Sequence, residues 1–316
     1  MAKRPSTNGK SNGTLAAVKP LRAARLQDDH GDARIPVLKT YKIFVGGKFP
    51  RTESGRFYLL KDARNEPIAN MCLCSRKDFR DAVVAARPAQ AGWAKRAAYN
   101  RSQILYRIAE MLEGRRAQFI AELVQCGGDN SSATKEVEQS IDRTLYYAGW
   151  ADKYQQIFST VNPVQSSHFN FSMLETTGIV AAIAPEKSGL LGLISVIMPA
   201  ICGGNSVIAL ASYSNPLAAV SFAEVLATSD LPGGVVNILT GLRSELCEHM
   251  ASHMDVNAVI ACNGEPAERK LLQQKGAENM KRVIFHDRDW SKDEAQSPYM
   301  ILQTQETKTT WHPIGV

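Results

Sequence analysis

Imidazole and thiol side chains are the groups in this sequence best suited to metal ligation or nucleophilic attack, and their spacing favours packing instead. His249 and His253 stand one helical turn apart, a spacing that could seat one metal ion, but no third ligand follows at a useful distance. Cys72 and Cys74 alternate within a strand-like stretch, Ala69 to Ser75, and would face the same side; without partner ligands they read as a packing pair. The six cysteines, which include Cys126, Cys202, Cys247 and Cys262, lack the spacing of a disulfide framework, so a reducing compartment and no metal are expected.

These side chains need a scaffold, and the composition allows an ordinary globular one. With 316 residues, 44% hydrophobic and 22% charged, the chain can bury one large core or two smaller ones. The net charge of +6 is concentrated early: Lys3, Arg4, Lys10, Lys19, Arg22 and Arg25 all precede the first acid, Asp28. Residues 1–38 are rich in Ser, Asn, Gly, Ala and Pro and read as a disordered basic leader, because too few large apolar groups offset the entropy of ordering it. The leader lacks the apolar stretch of a signal peptide and has no interleaved aromatics, so a cytoplasmic location is expected and nucleic acid is not expected as a partner. Leu15, Val18, Leu21 and Leu26 are loosely spaced like one face of a short docking helix. From Ser188 to Ala223 no residue is charged, but Pro199, Gly203, Gly204 and Asn205 cut this stretch into pieces too short to span a bilayer.

Periodicity supplies the elements. Tyr41 to Pro50 alternates and turns at Gly46-Gly47, which predicts a hairpin with Arg56 to Leu60 as the return strand. Apolar spacing becomes helical from Lys77 to Val124 and again over about 133–154, with Val137, Ile141, Leu145, Tyr146 and Trp150 at core positions. Ser166 to Glu175 alternates, with Phe169, Phe171 and Met173 on one side, and reads as an extended arm. Strands at 179–184, 206–210, 235–239, 257–261 and 282–285 then alternate with helices at 190–202, 216–228, 244–253 and 266–275. That rhythm predicts right-handed crossovers and a parallel sheet with helices on both faces, the α/β doubly wound class. His286 to Gln296 is polar and reads as irregular, and Tyr299 to Val316 reads as one long edge strand in need of a partner.

Together these segments resemble the aldehyde dehydrogenase family. The resemblance is carried by Phe44-Val-Gly-Gly-Lys48, Ala82-Val-Val-Ala-Ala-Arg87, Tyr146-Tyr-Ala-Gly-Trp-Ala-Asp-Lys153, Glu175-Thr-Thr-Gly-Ile-Val180, Gly203-Gly-Asn205 and Leu231-Pro-Gly-Gly-Val-Val-Asn237 with Thr240-Gly241. It runs from residue 41 to about 283. It implies a Rossmann-type NAD-binding domain made of residues 39–158 and 178–285, and a β oligomerisation element made of residues 159–177 and 296–316.

The same resemblance marks what the chain lacks. The family's Pro-Trp-Asn, whose asparagine serves the oxyanion, is replaced by Pro185-Glu186-Lys187; Lys187 could stabilise an anion, but Glu186 beside it argues for a solvated surface turn. The family's Lys-Pro-Ser-Glu, which contacts the adenosine ribose, is replaced by Leu210-Ala-Ser-Tyr213. Its phosphate-facing glycine is displaced in Ile260-Ala-Cys-Asn-Gly-Glu265, where Glu265 would repel a phosphate. The degenerate cofactor positions are therefore Ala184, Pro185, Lys187, Leu210, Ser212, Tyr213, Gly241 and Gly264, and cofactor is expected to be absent or NAD(P) bound weakly. After Val283 the family continues with Glu-Leu-Gly-Gly-Lys, carrying the general base, and a domain bearing the nucleophilic cysteine; here His286-Asp-Arg-Asp289 follows and no cysteine comes after Cys262. Gln305-Glu-Thr-Lys-Thr-Thr-Trp311 resembles the family's last strand, which with the arm reaches a neighbouring subunit. The sequence thus points to a family member with the catalytic domain missing and no catalytic residue of its own. Its expected role is a subunit that assembles with an active aldehyde dehydrogenase homologue, or with itself, through the arm and last strand. Two other readings stay open: a diverged NAD(P)-dependent oxidoreductase that polarises its substrate with Lys187, and an adaptor that recruits a complex through the basic leader.

Overall fold

Short, half-polar strands come first. In the computed structural model, which describes residues 37–315, Thr40–Tyr41 (β1), Phe57–Lys61 (β2) and Pro67–Cys72 (β3) form a sheet in the order β1-β3-β2. Most of the leader, with its four spaced apolar residues, lies outside the described residues. The paired-glycine turn is present: Val45 and Lys48 exchange two backbone hydrogen bonds of 3.0 Å, across Gly46 and Gly47 at φ 61° and 78°. Its expected return strand is not its partner, since β2 pairs antiparallel with β3. The cause is tertiary. Phe44 is 3% exposed and exchanges backbone hydrogen bonds with Ile238, and a Cβ on Gly47 would come within 2.9 Å of the Gly233 backbone, so the turn is docked on the main body.

The helices start where residue chemistry predicts. Arg76–Ala94 (α1) opens at a capping box between Ser75 and Asp78, and Asn130–Trp150 (α4) opens at Asp129, which accepts from the N–H groups of Ser131 and Ser132. Between them lie Ala98–Gly114 (α2) and Arg116–Gln125 (α3), and Tyr154–Phe158 (α5) follows. The arm is formed by Thr160–Asn162 (β4) and His168–Thr176 (β5).

The alternating region then unfolds as the rhythm requires: Ile179–Ile183 (β6), Leu191–Cys202 (α6), Ser206–Leu210 (β7), Leu217–Ala227 (α7), Val236–Leu239 (β8), Arg243–Ser252 (α8), Ala258–Cys262 (β9), Pro266–Ala277 (α9) and Arg282–His286 (β10). The five strands pair in parallel in the order β10-β9-β6-β7-β8, and every residue of β6 to β9 is buried. Burial on both faces explains why β6 reads as an unbroken apolar run. Val180 and Ala182 enter one apolar cluster with α2, α4, α6 and α7, while Ile179, Ala181 and Ile183 enter a second with α1, α8 and α9. The uncharged stretch is core: all twelve residues of α6 are buried, and no helix among the described residues is long and apolar enough to cross a membrane.

The last segment departs from its expected form. Instead of one strand from residue 299, there is a helical turn, Tyr299–Leu302 (α10), and only then Gln305–Pro313 (β11). Met300 and Ile301, 4% and 0% exposed, join the main apolar cluster, and burying two adjacent side chains on one side requires a helical turn, not an alternating strand. β11 pairs antiparallel with β5 along its whole length, giving a third sheet in the order β11-β5-β4.

Candidate functional site

In a doubly wound sheet, ligands settle beyond the carboxyl ends of the strands where the order reverses. Here that point lies between β6, whose successors β7 and β8 run one way, and β9, whose successor β10 runs the other. A cleft of about 730 Å³ opens there, lined among others by Glu136 of α4, Pro185, Lys187, Arg243, Glu265 and Trp290. Of the sequence-predicted positions, Pro185 and Lys187 line it, with Lys187 exposed. Ala184 is buried and donates its N–H to the Leu210 carbonyl at 3.0 Å, which ties the two loops together behind the cleft.

The turn after β6 is not the solvated turn expected. Glu186 is half-buried, and its Oε2 accepts from the N–H groups of Tyr213 (3.0 Å) and Ser214 (3.3 Å) and lies 3.0 Å from the Ser212 hydroxyl. Charge-assisted bonds from these groups satisfy the carboxylate, so the acid points inward and leaves Lys187 outside. Tyr213 is fixed in turn by Tyr58, whose ring stacks on it at 4.2 Å and whose hydroxyl donates to its carbonyl.

The remaining positions are occupied or turned away. Leu210 is 1% exposed and its side chain belongs to the core. Gly241, at φ 153°, allows close approach of Cys74, whose N lies 3.2 Å from where a Cβ would be; it does not line the cleft. Beside Gly264 the space for a Cβ is taken by a Glu268 oxygen at 2.7 Å, and Glu268 is bound by both ends of Arg243, at 3.1 and 2.7 Å. At the head of α6, Glu136 accepts from the N–H groups of Leu190 and Leu191 at 3.0 and 3.1 Å. Internal carboxylates therefore take the amides around the cleft.

Sequence reading missed what anchors the cleft floor. Arg143 of α4 is 3% exposed and has no carboxylate partner among the described residues; it donates to the Ser195 hydroxyl (2.6 Å), the Trp290 carbonyl (3.1 Å) and the Gln296 side chain (3.1 Å). The polar stretch after β10 is thus bolted down, and Trp290 is 3% exposed. A signal existed: Glu136, Ser140, Arg143 and Tyr147 recur every three or four residues, which places polar groups on the buried stripe of α4. His286, at the end of β10, is 2% exposed with Nε2 unpartnered and the Trp290 ring edge-on at 5.7 Å. Burial pushes its imidazole down to about 4, and the Arg288 charge adds to this.

Five of the thiols and His253 have structural surroundings. Burial raises Cys74, Cys126, Cys202, Cys247 and Cys262, to about 11 at Cys126 and about 12 at the last three, so none of these five is a thiolate at neutral pH. His253 packs edge-on against Phe79 and its Nδ1 accepts from the Asp255 N–H at 3.2 Å.

A second candidate surface is the ribbon β11-β5-β4. Thr177 donates to the Thr304 carbonyl and Ile314 to the Ser167 carbonyl, which sets the phase of the antiparallel ladder. The even-numbered residues of β11 therefore turn their backbone groups toward β5, and Thr307, Thr309 and Trp311 turn theirs outward. Pro313 ends this edge and has no N–H. On one face Val161, Phe169 and Met173 are 68%, 44% and 42% exposed.

The sequence model of the aldehyde dehydrogenase family matches residues 49–286. Retinal dehydrogenase 2 of Gallus gallus is 34% identical over 255 residues, covering 78% of this chain and 48% of that protein. Omega-crystallin of Enteroctopus dofleini is 28% identical over 274 residues, covering 81% and 54%. An NAD+ complex of aldehyde dehydrogenase from Bacillus cereus superposes with a TM-score of 0.74 at 24% identity, over 78% of this chain and 50% of that one. The chain spans about half the length of the curated relatives it matches.

Proposed function

Because this chain belongs to the aldehyde dehydrogenase family, we propose that it is a non-catalytic member that assembles with an active aldehyde dehydrogenase homologue, or with a second copy of itself, through the ribbon β11-β5-β4. The observation that carries this reading is internal to the fold. β10 leads through residues 287–304 straight into β11, and that connection is clamped by Arg143 where the resemblance implies a thiolate-bearing domain. The ribbon keeps an outward backbone edge and apolar side chains without a partner among the described residues.

NAD(P) fits the residues poorly. Leu210 faces the core, Glu186 fills the loop that follows it, and Glu265 stands at the head of α9 where a phosphate would sit. Each ribose hydroxyl deprived of a partner costs about 1–3 kcal/mol, so cofactor affinity is expected to fall well below that of an active enzyme. The competing reading, a diverged oxidoreductase, has in its favour that Lys187 lines the cleft. Calorimetry with NAD and NADP separates the two: heats corresponding to micromolar binding would revive the oxidoreductase.

The assembly itself is tested by purifying the chain with and without an active homologue and measuring mass by native spectrometry. A stable heteromer, or a self-assembly dissolved by altering β11, supports the proposal. A monomer that ignores the relative sinks it.

A further inference from the structure

A second cavity, of about 680 Å³, opens between α1 and α8 and shares no lining residue with the cleft. Its walls carry Arg76, Lys77 and Arg80 of α1 and His249, Ser252 and the cap residue His253 of α8, and none of its lining residues is acidic. The cations do nothing for the helix that bears them. Arg76 and Lys77 sit in the first turn of α1, where the helix dipole disfavours positive charge, and Arg76 and Arg80, four residues apart, repel one another on one face. Lys77 meets Glu53 and Arg80 meets Asp81, both at 2.8 Å, but these pairs are exposed and relieve little. Arg76 has no ion-pair partner among the described residues.

The same sign of charge reaches the cavity from behind. His253 is held below the ordinary imidazole value chiefly by burial, with the charges of Lys281, Arg87 and Arg76 acting in the same direction and Asp255 against them. Because its Nδ1 accepts the Asp255 N–H at 3.2 Å, the proton of the neutral ring lies on Nε2, which remains a donor. A concave site lined by one sign of charge focuses its field and gathers counter-ions, and the volume suits a small molecule.

We infer that the cavity between α1 and α8 binds a compact small molecule bearing two or more negative charges, held by Arg76, Lys77 and Arg80 with His253 as a further donor. Phosphate and carboxylate ligands present this same chemistry, and the choice of probes separates them. The site includes no residue of the cleft or the ribbon, so it stands or falls apart from the assembly proposed above.

Titration calorimetry of the full chain at an ionic strength of about 0.15 M tests it, with inorganic pyrophosphate, citrate and acetate as probes. Pyrophosphate, citrate or both should bind, the tighter of the two naming the source, and acetate should bind at least about tenfold more weakly. Arg76→Gln with Arg80→Gln should weaken that binding at least about tenfold, whereas Lys153→Gln with Lys308→Gln, which removes the same charge elsewhere on the surface, should change it less than about twofold. Circular dichroism reports folding, and if the α1 double variant does not fold, Arg76→Gln alone decides, with an expected loss of at least about threefold. Failure of both polyanions to bind overturns the inference, as does equal binding of acetate. An equal loss in the two double variants, or none in α1, also overturns it.

Discussion

The cleft end of the parallel sheet and the antiparallel ribbon handle the same quantity, backbone hydrogen-bonding capacity, in opposite ways. Around the cleft, Glu136 takes the amides at the head of α6, Glu186 those after β7, and Arg243 and Glu268 hold each other beside α9. Along β11, Thr307, Thr309 and Trp311 leave theirs facing outward. A family scaffold has therefore spent its polar groups internally where a dinucleotide would be held and left them open where another chain could add a strand. Affinity is to be sought where donors remain unspent.

Attacking the closed region should produce the largest effect. Arg143→Ala removes donors to Ser195, Trp290 and Gln296 at once, and is expected to lower unfolding free energy by about 3 kcal/mol or more. Urea unfolding measures it, and amide exchange should rise across residues 287–296. A loss below about 1 kcal/mol would mean that the connection is not held as described.

Proline placement dissects the ribbon. The Lys308 N–H faces β5, so Lys308→Pro should destabilise the fold by about 3 kcal/mol. The Thr307 N–H faces outward, so Thr307→Pro should leave monomer stability within about 1 kcal/mol of the original while weakening assembly at least about tenfold. Equal effects of the two on folding would show that the phase assigned to the ladder is wrong.

Acid should reach the closed region through His286. Its folded pKa lies near 4, below an unfolded value near 6.5, so as pH falls through 6.5 the unfolded chain takes up a proton that the folded chain refuses. Stability should decline from about pH 6.5 down to about 4 and then level off, by up to about 3 kcal/mol in total. Comparing urea midpoints with His286→Phe, which should flatten that part of the profile, checks the sign. The smallest effect is expected at the exposed Lys308–Glu175 pair, where Lys308→Ala should change stability by less than about 1 kcal/mol and leave assembly unaltered.

Much of the parallel sheet was legible because its strands are buried on both faces, and Ile179-Val-Ala-Ala-Ile183 admits few other roles. The hairpin pairing was not legible: Phe44 prefers Ile238 over residues 56–60 for reasons of packing that local alternation does not encode. Residues 299–302 misled because Met300 and Ile301 satisfy a helical turn as well as an alternating strand, and only their burial on the main core decides. In the site, the replacement of Lys-Pro-Ser-Glu by Leu210 to Tyr213 was visible by type, whereas the inward turn of Glu186 depends on amides 27 residues further along the chain. Charged residues whose partners are distant in sequence, Arg143 and Glu136 among them, reveal their roles only when the helices are docked.

Pro313 gives the ribbon a ruler. Between the body at Gln305 and this imino acid only three residues offer outward backbone pairs, over roughly 25 Å of strand at about 3.3 Å per residue. A guest segment longer than that gains no further rungs, so this edge rewards a short strand of matched length.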